Sequence, residues 1–468
     1  MKIKNYKNLC KFCDKVLLSK KSTLYTHSIT SLHVLKEHPV LLNAYFKNDP
    51  IRENKKNPLI KNFYLYFLNF VFEKKNFELN NNHKKGSKVL ILSNLINKSH
   101  ASKDSDFYYG EIERELNKKK IKTFTVLRNF TGEKSSTINK IIKKNKILLF
   151  EKTSFLREIF IIYKLFCEYY FIKKNFNKPK IKDLNTNFLS FFSLRGMVSN
   201  LRLYYQIKDL TEVIKPKLLI IPFEGHAWER LIIKMVKDLN KDIKIASYQF
   251  TVTTNHQHSI FRPLKASYNP DIILTSGKIT KKKFQENYKC PVKILGSNKY
   301  KKISRSKVKK QNKFLIIPEA FYSETDRLLN FTLAVAKILP DHKFIFRCHP
   351  MMKSDEFINK INLQDNVKLS NKSINDDLNI CKYVVFRGSA AVFEAVSQGL
   401  KPIYLDAKNE TNINPFKNIF LNSCNVIEPE DIFKTLKYHE SNKINKNIID
   451  YSNNYFTEID IKVIRSLL

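Results

Sequence analysis

Short apolar runs recur along the chain, each separated from the next by a charged or amphipathic stretch of helical length. The first set is KVLILS (Lys88–Ser93), KTFTVL (Lys122–Leu127), KILLF (Lys146–Phe150), KLLIIP (Lys217–Pro222), KIASYQF (Lys244–Phe250) and DIILTSG (Asp271–Gly277). The second is VKILGS (Val292–Ser297), KFLIIPEA (Lys313–Ala320), KFIFRCHP (Lys343–Pro350), YVVFRGSA (Tyr383–Ala390) and KPIYLD (Lys401–Asp406). Runs of roughly four to eight residues, β-branched or aromatic and apolar on both faces, suit strands of a parallel sheet covered by helices. Alternation with helical stretches predicts right-handed βαβ units and a doubly wound α/β fold. The strands exceed what one open sheet comfortably holds, and a break falls near 277–300. We therefore expect an N-terminal extension over 1–86 and a Rossmann-like domain over 87–277, with a helical insertion at 154–214. A second Rossmann-like domain is expected over 278–468, facing the first across a cleft.

Composition narrows the setting. Hydrophobic residues make up 43% of the 468, enough for large cores and unlike a disordered chain. The seven cysteines are odd in number and irregular in spacing, which argues against a disulfide framework and for a reducing compartment. The N-terminal stretch lacks the apolar run of a signal peptide. No uncharged apolar run reaches the roughly 18 residues of a spanning helix, so a cytoplasmic location is expected. The net charge of +41 favours anionic partners. Lysine is nevertheless scattered along the chain with abundant Asn and Ile, a pattern of compositional drift, and no aromatic–basic stacking motif accompanies it. A specific nucleic-acid partner is not expected. Scattered lysines still attract anionic headgroups, and the aromatic–basic stretch Ile159–Lys174 is the candidate for peripheral contact with the inner membrane.

The chemistry-bearing residues fall where the predicted strands end, which is where open α/β sheets bind ligands. RGSAAVFEAVSQG (Arg387–Gly399) reads as a strand, a turn at Gly388, and a helix capped by Ser389, whose free N–H groups suit a pyrophosphate. Arg387 would add a bidentate phosphate donor. In RCHP (Arg347–Pro350), Arg347 would neutralise phosphate while His349 bonds phosphate or ribose. PFEGHAWER supplies Glu224 as a general base on an acceptor hydroxyl, with His226 as the next candidate and Gly225 allowing close backbone approach to ligand. Glu229 and Arg230 read as a pair on the following helix. Glu319 in PEA, Ala390 and Glu394 in the RGSAAVFEA turn, and Ser276 and Gly277 in TSG complete the expected nucleotide-sugar set. Cys10, Cys13, His27 and His33 approximate a zinc-finger spacing without its apolar placement. The pair Asp104 and Asp106 reads as a helix cap and His256–His258 as a loop, so no metal site is expected.

These motifs resemble bacterial surface-carbohydrate biosynthesis proteins linked to O-antigen and capsule. The likeness runs from CDKVLLSKKSTLYTHSITSLHVLKEHP through KVLILSNL and DSDFYYGEI to PFEGHAWERLIIK, ASYQF and NPDIILTSG. The C-terminal half, with PEA, FRCHP and FRGSAAVFEA, is also similar to GT-B sialyltransferases, polysialyltransferases and teichoic-acid glycerophosphotransferases. The resemblance implies a metal-independent GT-B glycosyltransferase without cofactor. It would move sugar from a nucleotide-activated donor to a lipid-linked or polysaccharide acceptor. His349 and Pro350 would hold the nucleotide, Ser389 a phosphate, and Glu224 would act as base. Phe223 stands where an acid is usual and Ala390 where a second Ser is frequent, which leaves donor identity open. The competing expectations are a nucleotide-sugar epimerase with two Rossmann domains, a non-catalytic polysaccharide-assembly protein, and a nucleic-acid-binding protein.

Overall fold

The computed structural model describes residues 3–34, 38–42, 45, 77, 87–150, 153–176, 181, 184, 196–254, 257–300, 310–352, 357, 364–408, 410–416 and 418–468. Strands form where the apolar runs predict them. They are β1 (Val89–Leu95), β2 (Thr123–Asn129), β3 (Lys146–Leu149), β4 (Leu218–Pro222), β5 (Lys244–Gln249), β6 (Ile272–Thr275) and β7 (Val292–Ile294), in the order β3-β2-β1-β4-β5-β6-β7. A second sheet holds β8 (Gln311–Ile317), β9 (Lys343–Phe346), β10 (Val367–Leu369), β11 (Cys381–Phe386), β12 (Lys401–Leu405) and β13 (Asn425–Val426), in the order β10-β9-β8-β11-β12-β13. Every pairing is parallel. Each sheet begins at a central strand, winds outward on one side, and then returns to the other side of that first strand. Both are Rossmann-like, with reversal points between β1 and β4 and between β8 and β11.

The two faces of the first sheet follow from strand alternation. Leu90, Leu92, Leu219 and Ile221 pack with Ile207 and Leu210 of the helix Gly196–Ile214 and Ile232 and Val236 of the helix Ala227–Leu239. Val89, Ile91, Leu218 and Ile220 point the other way, onto Ile112, Leu116 and Ile464. All eight strand residues are fully buried. Each such side chain contributes roughly 1.5–3 kcal/mol of burial, and a register slip of one residue would exchange the two sets.

Two boundaries differ from those expected. β7 pairs with β6 and completes the first sheet, so the break lies beyond it; the run is apolar enough for either sheet, and pairing decides. The helix Gly196–Ile214 is the crossover from β3 to β4 and covers the sheet rather than decorating it. β10 and β13, of three and two residues, are too short to register as apolar runs.

The preceding helix, Phe155–Asn175, packs on the N-terminal helix Ile3–Leu17 and the short helix Leu24–His27. Its buried face mixes Ile161, Leu165 and Ile172 with two carboxylates. Glu158 and Glu168 are buried, the first paired with Arg202 at 2.7 Å and the second accepting from Thr26 Oγ1 at 2.5 Å. Leu156, Ile159, Phe160, Tyr163, Phe166 and Tyr170 are exposed. Among the described residues no helix is long and apolar enough to cross a membrane.

At the C-terminus the chain leaves the second sheet through the helix Lys446–Tyr455 and returns to the first. Thr457 N–H donates to Ser276 O at 2.9 Å, Ser297 N–H to Thr457 O at 2.9 Å, and Asp460 N–H to Leu295 O at 2.8 Å. Gly277 lies directly under this crossing, where a Cβ would collide with the Tyr455 carbonyl.

Candidate functional site

The ends of β8, β9 and β11 open on a cavity of about 650 Å³. Its opposite wall comes from the loops after β5 and β7, including Gln257 and Lys299, and from His38. It sits at the reversal point of the second sheet, where strand ends diverge and leave a crevice. Glu319, just past β8, accepts Gly388 N–H at 2.9 Å and pairs with His38 Nε2 at 3.3 Å. Burial opposes its ionisation, but the His38 and Gly388 hydrogen bonds and the Arg387 charge hold its carboxyl below the usual range. A Cβ at Gly388 would lie 2.6 Å from the Glu319 carboxylate and would have to displace it. His349, Pro350, Ser389, Ala390 and Glu394 all line the cavity. His349 Nδ1 accepts Met351 N–H at 3.2 Å, which leaves Nε2 without a partner among the described residues. Burial, then the Lys299 charge, keeps the ring below its ordinary pKa, so it is neutral near pH 7.

Other expected donor-site residues are committed elsewhere. Arg387 is 1% exposed and outside the lining; it pairs with Glu324 at 2.5 Å and Glu410 at 3.0 Å and donates to Leu405 O at 2.9 Å. It has no guanidinium face left for phosphate. Arg347 reaches the cavity wall, but its Nη1 is bound to the buried Asp377 at 2.8 Å and to Lys372 O at 2.7 Å. Ser276 and Gly277 lie beneath the C-terminal crossing and not in the lining. Ser389 does not cap: the helix runs Ala391–Ser397 with Ala390 at the cap position and no side-chain cap bond. The Ser389 hydroxyl thus has no partner among the described residues.

A second cavity, of about 230 Å³, occupies the reversal point of the first sheet. It is lined by Asn94 at the end of β1, Arg128 at the end of β2, Glu224, His226 and Glu229 after β4, and the rings of Tyr108, Phe130, Trp228 and Phe250. Phe107 and Thr251, chain neighbours of Tyr108 and Phe250, line the larger cavity, so the same two loops contribute to both. Glu224 lines the smaller cavity and not the larger. Its Oε2 lies 3.1 Å from His226 Nε2. Burial disfavours a charged imidazole at His226, yet the Glu224 hydrogen bond and the Glu229 and Glu224 charges raise its pKa.

The loop carrying this pair is held by Glu229, which sequence reading assigned to a pair with Arg230. The fully buried Glu229 carboxylate instead accepts the N–H groups of Glu224, Gly225 and His226 at 2.8–3.1 Å. Burial pushes its pKa up to about 7. Arg230 turns the other way, donating to the carbonyls of Tyr268, Ser259 and Arg262 and to the Tyr288 hydroxyl. Gly225, at φ +85, packs its backbone against Ser259 rather than approaching a ligand cavity. Sequence reading also missed His38, Arg128 and Tyr108. Only a strand-end rule applied to KTFTVLRN could have flagged Arg128.

The remaining polar candidates have structural partners. Cys10, Cys13, His27 and His33 are buried in the N-terminal cluster; His27 stacks on Tyr268 at 3.9 Å and His33 Nε2 contacts His27 O at 3.0 Å. Asp106 accepts the Tyr108 and Tyr109 N–H groups, and Asp104 pairs with Lys143. His258 pairs with Asp14, and His256 lies outside the described residues. Among the described residues no group of three or more His, Cys, Asp or Glu is placed to hold a metal ion.

No family model and no curated protein matches the chain. Solved structures match at low identity. UDP-GlcNAc 2-epimerase from Methanocaldococcus jannaschii is 14% identical, covers 81% of this chain and 99% of its own, and has a TM-score of 0.43. The glycotransferase of kitacinnamycin is 11% identical over 82% and 99%, with a TM-score of 0.49. MurG from Acinetobacter baumannii is 9% identical over 81% and 98%, with a TM-score of 0.43.

Proposed function

We propose that the chain is a glycosyltransferase that moves a sugar from a nucleotide-activated donor to a surface-polysaccharide acceptor. The carrying observation is the pair of cavities, one at the reversal point of each sheet and both walled by the loops of Phe107–Tyr108 and Phe250–Thr251, with complementary chemistry. The larger has room for a nucleotide-sugar and offers His349 Nε2, Pro350 and the Ser389 hydroxyl to its nucleotide and phosphates, with Lys299 supplying positive charge where Arg387 does not. The smaller presents Glu224, whose carboxylate would take the proton of an acceptor hydroxyl as the glycosidic bond forms and the nucleotide departs with its bond electrons. His226, hydrogen-bonded to it at 3.1 Å, would keep Glu224 oriented. The exposed apolar face of Phe155–Asn175, with Lys164, Lys173 and Lys174 on the same helix, suits peripheral contact with an anionic bilayer presenting a lipid-linked acceptor.

A thermal-shift screen with CMP, CDP, UDP, GDP and dTDP tests the donor side, since a ligand of the native state raises apparent stability. One nucleotide should stabilise the chain, and His349→Ala should remove that shift without lowering the ligand-free melting point. Release of free nucleotide from the matching sugar donor only when acceptor is present separates transfer from epimerisation. No shift with any of the five sinks the donor assignment.

A further inference from the structure

Arg128 stands apart from the other buried or half-buried arginines. Arg202, Arg230, Arg262, Arg347 and Arg387 are each bound to carboxylates or carbonyls. Arg128 makes no hydrogen bond or ion pair among the described residues. Its guanidinium lies between two rings, 4.6 Å from the centroid of Trp228 and 5.0 Å from that of Phe130. β2 carries it opposite Asn94 of β1, at the floor of the smaller cavity. Stacking satisfies the faces of a guanidinium but none of its five N–H donors. Arg128 is half-buried and feels the charge of Glu229 without a hydrogen bond to it, so its N–H donors are open to a charged ligand.

The other cavity groups leave room for an anion. The Glu229 carboxylate is used by three backbone N–H groups, and Glu224 is engaged by His226. Burial draws the Arg128 pKa down to about 10, which still leaves it charged at neutral pH. Asn94 Oδ1 is buried without a partner among the described residues and can accept a hydrogen bond from a hydroxyl. Trp228 is held between Arg128 and His226, and Phe130, 56% exposed, stands at the mouth with an apolar ring. The volume of about 230 Å³ corresponds to roughly eight waters of about 30 Å³ each, the room of one sugar ring.

Resting on the reading of this cavity as the acceptor side, we propose that it receives a saccharide unit bearing an anionic group, a carboxylate or a phosphate, and that Arg128 recognises that group. Two parallel N–H···O bonds from the guanidinium fork fit either oxyanion. Asn94 takes a ring hydroxyl, the exposed Phe130 ring takes the apolar side of the sugar, and the hydroxyl to be glycosylated points toward Glu224.

Trp228 is the only tryptophan of the chain, so its fluorescence reports directly on this cavity. D-glucuronate, glucose 6-phosphate and glucose are titrated into the full chain while Trp emission is followed. At least one charged sugar should change the emission saturably at concentrations where glucose does not, and the stronger of the two identifies carboxylate or phosphate. Arg128→Gln should weaken that response by roughly tenfold or more, the loss of a charge-assisted hydrogen bond. Arg128→Lys should retain part of it. Equal responses to glucose and the charged sugars, an unchanged response in Arg128→Gln, or no response to any of the three overturns the proposal. Glu224→Gln should keep the charged-sugar response whatever its turnover, so failure of the base assignment and failure of the anion site give different results.

Discussion

At the scale of single residues, Arg387, Ser276 and Gly277 lie outside both cavities, Arg387 because it is bound to Glu324 and Glu410. His349, Ser389 and Glu224 stand at strand ends and line cavities, as the apolar runs indicated. Arg387 stands at a strand end too, but Glu324 and Glu410, remote in sequence, claim it, and nothing in the local motif reveals those partners. Arg387→Leu should therefore strand two carboxylates and cost about 3–5 kcal/mol in denaturant unfolding, with nucleotide affinity per folded molecule unchanged. A direct phosphate contact would give the reverse pattern. Glu224→Gln keeps size and most hydrogen bonding while removing the base. It should lower turnover by about 10²–10⁴-fold with little change in nucleotide affinity. A stable variant with wild-type turnover would move the base role to His226.

At the scale of elements, the N-terminal cluster and the helix Phe155–Asn175 carry opposite lessons about burial. Burial, reinforced by the charges of Lys265, Arg262 and Arg230, lowers the His27 pKa to about 3. Below about 6.5 the unfolded chain binds a proton there that the folded chain refuses, so this contribution to stability is full above that pH and falls as pH drops toward 3. The slope is about 1.4 kcal/mol per pH unit. Glu113 and Glu229, each pushed up to about 7, pull the other way, since their burial favours the folded state at low pH. The test is therefore a difference: wild type should lose about 2 kcal/mol more than His27→Phe between pH 6.5 and 5, measured by denaturant titration at each pH. Phe keeps the stack on Tyr268. Helix Phe155–Asn175 reads in sequence as weakly amphipathic because its charges and aromatics interleave. Only the fold shows that the glutamates turn inward and the rings outward. The chain should float with phosphatidylserine vesicles and not with neutral ones at low salt. Leu156→Glu with Tyr170→Glu, at residues 78% and 65% exposed, should abolish flotation without changing the melting point. Equal flotation of wild type and double variant would remove this helix from the contact.

At the scale of the whole molecule, two parallel sheets were legible because their strands are continuous apolar runs separated by helical stretches. Strand order was not, because parallel pairing leaves no local mark. The order explains why one cavity forms over β1 and β4 and the other over β8 and β11. The C-terminal crossing was equally invisible: Tyr455 stacks on Phe393 at 4.1 Å, behind the Ser389 turn, while its carbonyl lies over Gly277 of the first sheet. This arrangement makes Gly277 a joint between the two sheets. Its φ of −175 is open to any residue, so Gly277→Ala acts through the Cβ alone, which must displace the backbone of the crossing. Overpacking of this kind costs about 1–3 kcal/mol, which should lower the melting point by a few degrees. Nucleotide affinity should fall with it, because Phe393 and the Ser389 turn shift with Tyr455. Ser276→Ala, which adds no atom and leaves the carbonyl bonded to Thr457 N–H in place, should change neither quantity. If Ser276 and Gly277 instead touch the donor, both variants should lose affinity at an unaltered melting point, and calorimetry beside thermal unfolding on the same preparations distinguishes the two.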